Sequence, residues 1–170
     1  TRIPLKIDIS TGDVITPCEI SFSYQLMFEN RTIPLLAYPP ETVLAEKLET
    51  ILSRGEANTR LRDFYDVYIL QREDFVVTPD ALCHALLATC RKRGHEDLLH
   101  TYASILDRVR QSDTMRTQWM KYQSDFDYAA GITWDTVLDT VETLCMKTLD
   151  DHAFGDELPQ EESQFEMHLL

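Results

Sequence analysis

Five ionisable side chains, Lys47, Arg54, Arg60, Asp63 and Asp66, fall within one stretch, YPPETVLAEKLETILSRGEANTRLRDFYDVYIL, spanning residues 38–70. Their types suit the handling of phosphate. A lysine offers a point charge to a phosphate oxygen, and an arginine can grip phosphate through two parallel hydrogen bonds. Carboxylates beside them can hold those cations in place or converge on a divalent metal. Lys47 and Arg54 are seven residues apart and share one flank of a helix. Asp63 and Asp66, three apart, are expected to face away from the buried stripe of a second helix, with Arg60 one turn before Asp63. On spacing alone, such a hairpin reads first as a solvated surface carrying ordinary ion pairs.

The elements that must position these groups can be read from periodicity. Leu5-Lys6-Ile7-Asp8-Ile9 alternates apolar and polar residues as a strand does, and Ser10-Thr11-Gly12-Asp13 ends it with turn chemistry. Ile20 to Phe28 alternates again, and Thr32 to Tyr38 makes a third extended segment after a turn at Asn30-Arg31. Pro34 keeps that last strand from being central in a sheet. Pro39-Pro40 then opens a helix whose apolar stripe is Leu44, Leu48, Ile51 and Leu52, ended by Gly55. The second helix is expected to bury Leu61, Phe64, Tyr65, Tyr68 and Ile69. Thr78-Pro79 starts a helix running to Arg93, and further helices are expected over 96–110, 115–125 and, capped by Thr133, through Leu149. Three strands followed by about five helices predict an α+β fold. The expected divisions are a sheet at 1–38, a helical region at 39–149 containing the charged hairpin 39–71, and an acidic tail at 150–170 with a short packed piece at Phe165–Met167.

Composition narrows the function classes. No apolar run is long enough to span a bilayer, and no signal-peptide pattern opens the chain. Cys18, Cys83, Cys90 and Cys145 are scattered without a Cys-x-x-Cys pair, so free thiols in a reducing, cytoplasmic setting are expected. The five histidines show no metal-ligand spacing, and Trp119 and Trp134 are expected to be core anchors. The net charge of −13 argues against nucleic acid. Yet seven acidic residues and no Lys or Arg lie from Asp150 onward, so the tail carries more than half of that charge. Lys47, Arg54, Arg60, Arg62 and Arg72 gather in the hairpin, and a local basic patch is all that a phosphate site requires.

The wording of the hairpin then becomes informative. Tyr38-Pro39-x-Glu41-Thr42-x-x-Ala45-Glu46-Lys47-Leu48, followed by Arg54, Asn58-x-Arg60 and Asp63-Phe64-Tyr65-Asp66, resembles the signature of the AbiEii/AbiGii-type nucleotidyltransferase toxins. The resemblance covers residues 5–70 and implies a nucleotidyltransferase of bacterial toxin–antitoxin and phage-defence systems. It implies transfer of a nucleotide from an NTP to an acceptor, an RNA of the tRNA class, under the restraint of a separately encoded antitoxin. It implies Mg²⁺ to offset triphosphate charge. By the same resemblance Lys47 and Asp63 are active-site residues, Arg54 and Arg60 assist with phosphate, and Asp66 supports them. Asp8, in its apolar–acid–apolar strand, is the candidate metal ligand or general base.

One feature of the family is missing. Its first motif, a Gly-Ser followed by Asp-x-Asp on a strand, has no counterpart here. The chain holds no Gly-Ser, and its only Asp-x-Asp, Asp125-Phe126-Asp127, lies late and beside helices, where a metal site is not expected. The expectation is therefore a C-terminal portion of the nucleotidyltransferase, inactive by itself, with the motif upstream. The competing expectation is a non-catalytic module of the same fold that binds a protein or RNA partner.

Overall fold

A computed structural model describes residues 11–72 and 77–150. The expected first strand with Asp8, and the tail piece at 165–167, lie outside the described residues. Within them a two-stranded sheet precedes six α-helices, so the α+β expectation holds.

Strands β1 (Ile20–Gln25) and β2 (Thr32–Ala37) pair antiparallel, Ile20 opposite Ala37 and Gln25 opposite Thr32. Alternation puts Ile20, Phe22, Tyr24, Ile33 and Leu35 on one face. β1 stops three residues short of the expected Phe28. The Leu26 N–H donates to the Arg31 carbonyl at 3.0 Å and the Gln25 amide donates to the Glu29 carbonyl at 2.9 Å, which closes a turn over 26–31.

Helix α1 (Pro40–Arg54) begins with Pro39 extended and Pro40 in its first turn, where a missing N–H leaves no helical hydrogen bond unmade. It ends at Gly55, whose φ of +49° turns the chain into a short 3₁₀ segment, Gly55–Ala57. Its stripe is the centre of the molecule: Ala45, Leu48 and Ile51 are fully buried, and α1 packs against α2 (Leu61–Arg72), α3 (Pro79–Arg93) and α4 (Leu98–Gln111). Leu48 and Ile51 each contribute about 1.5–3 kcal/mol by leaving water. α5 (Asp113–Asp125) and α6 (Trp134–Leu149) complete the bundle, each capped by the side-chain oxygen of the preceding residue, Ser112 or Thr133. The Ser112 cap starts α5 two residues before the expected Met115. α4 starts at Leu98 rather than Glu96, because 95–98 are closed by turn hydrogen bonds from Leu98 to His95 and Leu99 to Glu96.

Both tryptophans anchor the core as expected. Trp119 donates its indole N–H to the Ile132 carbonyl at 2.8 Å, and Trp134 packs on Phe64 with ring centroids 5.1 Å apart. The second helix is narrower inside than expected. Leu61, Phe64 and Val67 are buried, whereas Tyr65, Tyr68 and Ile69 are only half-buried at its margin. All four cysteines are free, with Cys83, Cys90 and Cys145 buried and Cys18 exposed.

Candidate functional site

The hairpin is set by a buried asparagine. Asn58, fully buried, accepts the Arg60 N–H through Oδ1 at 2.7 Å, so the chain turns within two residues and α2 starts at Leu61. The Asp63 N–H then donates to the Arg60 carbonyl at 3.0 Å. This places Asp63 and Asp66 on the side of α2 that meets α1, where Lys47 waits. Lys47 Nζ lies 3.0 Å from Asp63 Oδ1 and 2.6 Å from Asp66 Oδ2. Arg60 Nε is 3.4 Å from Asp63 Oδ2, an ion-pair distance without hydrogen-bond alignment, and Arg62 Nε is 3.8 Å from Asp66 Oδ1.

Asp63 corrects one expectation. It does not face away from the packed interior: it is buried, at 6% exposure, beside Phe64 and Val67. A carboxylate can stay there because two cations converge on it. Asp66, one turn on, is half-buried, and the Lys47 side chain keeps 21% exposure. The ammonium therefore sits at a boundary, anchored from inside and reachable from outside.

These groups line one wall of a cleft of about 720 Å³, together with Arg60, Arg62, Thr59 and Leu61. The opposite wall is the last turns of α5, with Gln118, Lys121, Tyr122, Asp125 and Phe126. Four cations and three carboxylates line this cleft, a local positive balance on a chain of net charge −13. A volume of this size suits a small ligand. Burial, then the hydrogen bond with Tyr128, raises the Tyr122 hydroxyl above its ordinary pKa, so it stays a neutral hydrogen-bonding group.

Among the described residues, not all of the expected cations converge. Lys47, Asp63 and Asp66 meet, with Arg60 beside them, but Arg54 does not line the cleft. Seven residues along α1 carry it about 10 Å further, to the exposed last turn. Arg72 is likewise removed, at the far end of α2, where its guanidinium lies over the Tyr68 ring 5.3 Å from the centroid. Asp8 lies outside the described residues. The α5 wall was not foreseen. Its one sequence signal was Asp125-Phe126-Asp127, read only as an unsuitable metal pair; Asp125 and Phe126 both reach the cleft.

The described residues do not fit a Mg²⁺ ion on their own. No three carboxylate, histidine or cysteine groups among them are arranged to hold a metal, and Asp63 Oδ1 and Asp66 Oδ2 are each engaged by Lys47. Chemically, the arrangement can bind an anion.

No described helix is long and apolar enough to cross a membrane. No curated protein and no solved structure matches the chain. The family model described as nucleotidyl transferase AbiEii toxin, type IV toxin–antitoxin system, matches residues 1–140. That match spans the hairpin and both walls of the cleft, and the chain belongs to the AbiEii nucleotidyltransferase toxin family.

Proposed function

We propose that the cleft between α2 and α5 holds the triphosphate of an NTP, and that the protein works in transferring an NMP to an RNA acceptor of the tRNA class. The supporting observation is Lys47, an ammonium fixed by two carboxylates at 3.0 and 2.6 Å on the wall of a cleft with excess positive charge. A fixed point charge orients a phosphate without first being ordered by it, and this preorganisation is what a transfer site needs. Asp63 holds the ammonium from inside and Asp66 from the rim. Arg60 and Arg62, exposed and only loosely paired, are free to fold onto phosphate oxygens.

In the transfer, an acceptor hydroxyl oxygen bonds to the α-phosphorus, the bond from that phosphorus to the β-bridging oxygen breaks, and pyrophosphate leaves. The hydroxyl proton passes to a base, for which Asp8 is the candidate. Mg²⁺ would offset the triphosphate charge, but its ligands are not supplied by the Lys47 cluster. A toxin that consumes NTPs and modifies tRNA acts in the cytoplasm, where both are found, and its separately encoded antitoxin restrains it.

The test is transfer of labelled NMP to total tRNA by the protein as its gene encodes it, with and without Lys47→Ala or Asp63→Ala. Label on tRNA with the natural protein, and its loss by two orders of magnitude or more in both variants, is expected. Undiminished transfer by both variants removes the cluster from the site.

A further inference from the structure

Facing the Lys47 cluster is a group of aromatic rings with more exposure than packing requires. Phe126 is 42% exposed and Tyr128 is 50% exposed, and their rings stack at 5.4 Å with planes 30° apart. They are held from behind. The Tyr128 hydroxyl meets that of Tyr122 at 2.9 Å, Tyr65 packs on Tyr128 at 4.7 Å, and Tyr122 stacks on the buried Trp119 at 5.3 Å. Half-exposed rings anchored at one side are rigid, so little side-chain entropy is lost when something flat lies on them. Phe126 and Tyr122 belong to the cleft wall that also carries Lys121, which forms no ion pair among the described residues. Gln118, in the same wall, has its buried Oε1 without a hydrogen-bond partner.

Resting on the phosphate reading of the opposite wall, we infer that the α5 wall is a nucleobase platform: Phe126 takes the base face, while Lys47, Arg60 and Lys121 take the phosphates. The chemistry fits any nucleotide with a free base face, whether a free NTP or the terminal nucleotide of an RNA. Stacking is tolerant of base identity, because every base has a π face.

The experiment measures equilibrium binding to the full chain, by calorimetry, of ATP, CTP, GTP and UTP, of tripolyphosphate, and of a short single-stranded RNA. Phe126 is half-exposed, so Phe126→Ala is expected to fold, and Phe126→Leu keeps the bulk while removing the π face. Both are expected to weaken a nucleotide or RNA ligand about tenfold and to leave tripolyphosphate unchanged, with Phe126→Trp restoring affinity. Loss confined to the NTPs names the free nucleotide as the source, and loss confined to RNA names its terminus. Unchanged nucleotide and RNA binding in both variants overturns the platform, even where Lys47→Met abolishes tripolyphosphate binding and so sustains the phosphate site. Tripolyphosphate binding that survives Lys47→Met is instead the failure of the phosphate reading. Absence of binding to all of these ligands overturns both.

Discussion

Replacing Lys47 by Met keeps an apolar stem of similar length and removes only the ammonium, which makes it a direct probe of the cluster. With an effective dielectric of about 20, an ammonium 3.0 Å from Asp63 and 2.6 Å from Asp66 gains roughly 5–6 kcal/mol of gross attraction from each. Most of that is offset by the desolvation of the three groups. What the substitution changes is what remains afterwards: a carboxylate at 6% exposure with only Arg60 at 3.4 Å, and a second carboxylate one turn away that repels it. Breaking a fully buried pair costs about 3–5 kcal/mol and an exposed one at most about 1, so this boundary position should lose about 2 kcal/mol. For a chain of this size that is a fall in Tm of about 4–8 °C. The assay is urea and thermal unfolding of the natural chain, Lys47→Met, Asp63→Asn and the double variant. Because the damage lies in the orphaned carboxylate, Asp63→Asn in the Lys47→Met background should recover about 1 kcal/mol or more, a coupling that independent sites do not show. A loss below about 0.5 kcal/mol, or strict additivity in the cycle, refutes the claim that Lys47 is fixed from inside.

Four further outcomes follow from the same packing. Phe64→Ala, at a fully buried ring against Trp134, should cost about 3–5 kcal/mol in urea unfolding, and a loss under about 1 kcal/mol would contradict its place in the core. Arg93→Ala leaves the Glu49 carboxylate, at 2% exposure and paired with Arg93 and His95, with a single partner, so stability should fall by about 2–4 kcal/mol while Glu49→Leu in the same background recovers part of it. Native thiol titration should show one fast cysteine, Cys18, since burial shields Cys83, Cys90 and Cys145 and pushes the last two thiols up to about 12; two fast thiols would overturn that burial. The Glu46 carboxyl is pushed up first by burial and then by Asp13, so the folded state holds its proton more tightly than the unfolded chain. Stability from this group is present below about pH 4.3, the ordinary glutamate value, and is lost as pH rises through the raised folded value. Glu46→Gln should therefore gain stability relative to the natural chain as pH rises above about 4.3, and an unchanged difference across that range contradicts it.

Much of the helical frame was legible because its punctuation is local. Pro39-Pro40 and Gly55 bound α1, and Thr78-Pro79 and Thr133 open α3 and α6, each through one residue's dihedral or one cap hydrogen bond. The apolar stripe of α1 was legible for the same reason. Asp63 was misplaced because helical spacing fixes which residues share a face but not how far a neighbouring helix covers it. The approach of α1 moved the buried boundary of α2 past Phe64 to a carboxylate and left Tyr65 and Tyr68 at the margin. The same limit separated Arg54 from Lys47: both lie on one flank, but only Lys47 lies where α2 crosses.

The α5 wall shows a second kind of limit. Lys121, Asp125 and Phe126 are about fifty-five to sixty-five residues from Asp63 and Asp66, and nothing in their own spacing points across the bundle. What brings them there is Trp119, whose buried ring and hydrogen bond to the Ile132 carbonyl seat α5 beside α2 and α6. A core residue thus decides where a surface residue acts. Asp125-Phe126-Asp127 was noticed for its carboxylates and set aside because it lies late in the chain and beside helices. In the folded chain its aromatic residue has the larger claim on the cleft, with Asp125 beside it on the wall facing Lys47. The hairpin by itself offers cations that any phosphate could meet. With α5 opposite, the cleft sets the Lys47 cluster against a wall that carries an aromatic face beside Lys121, and that pairing suits a nucleotide better than a simple anion.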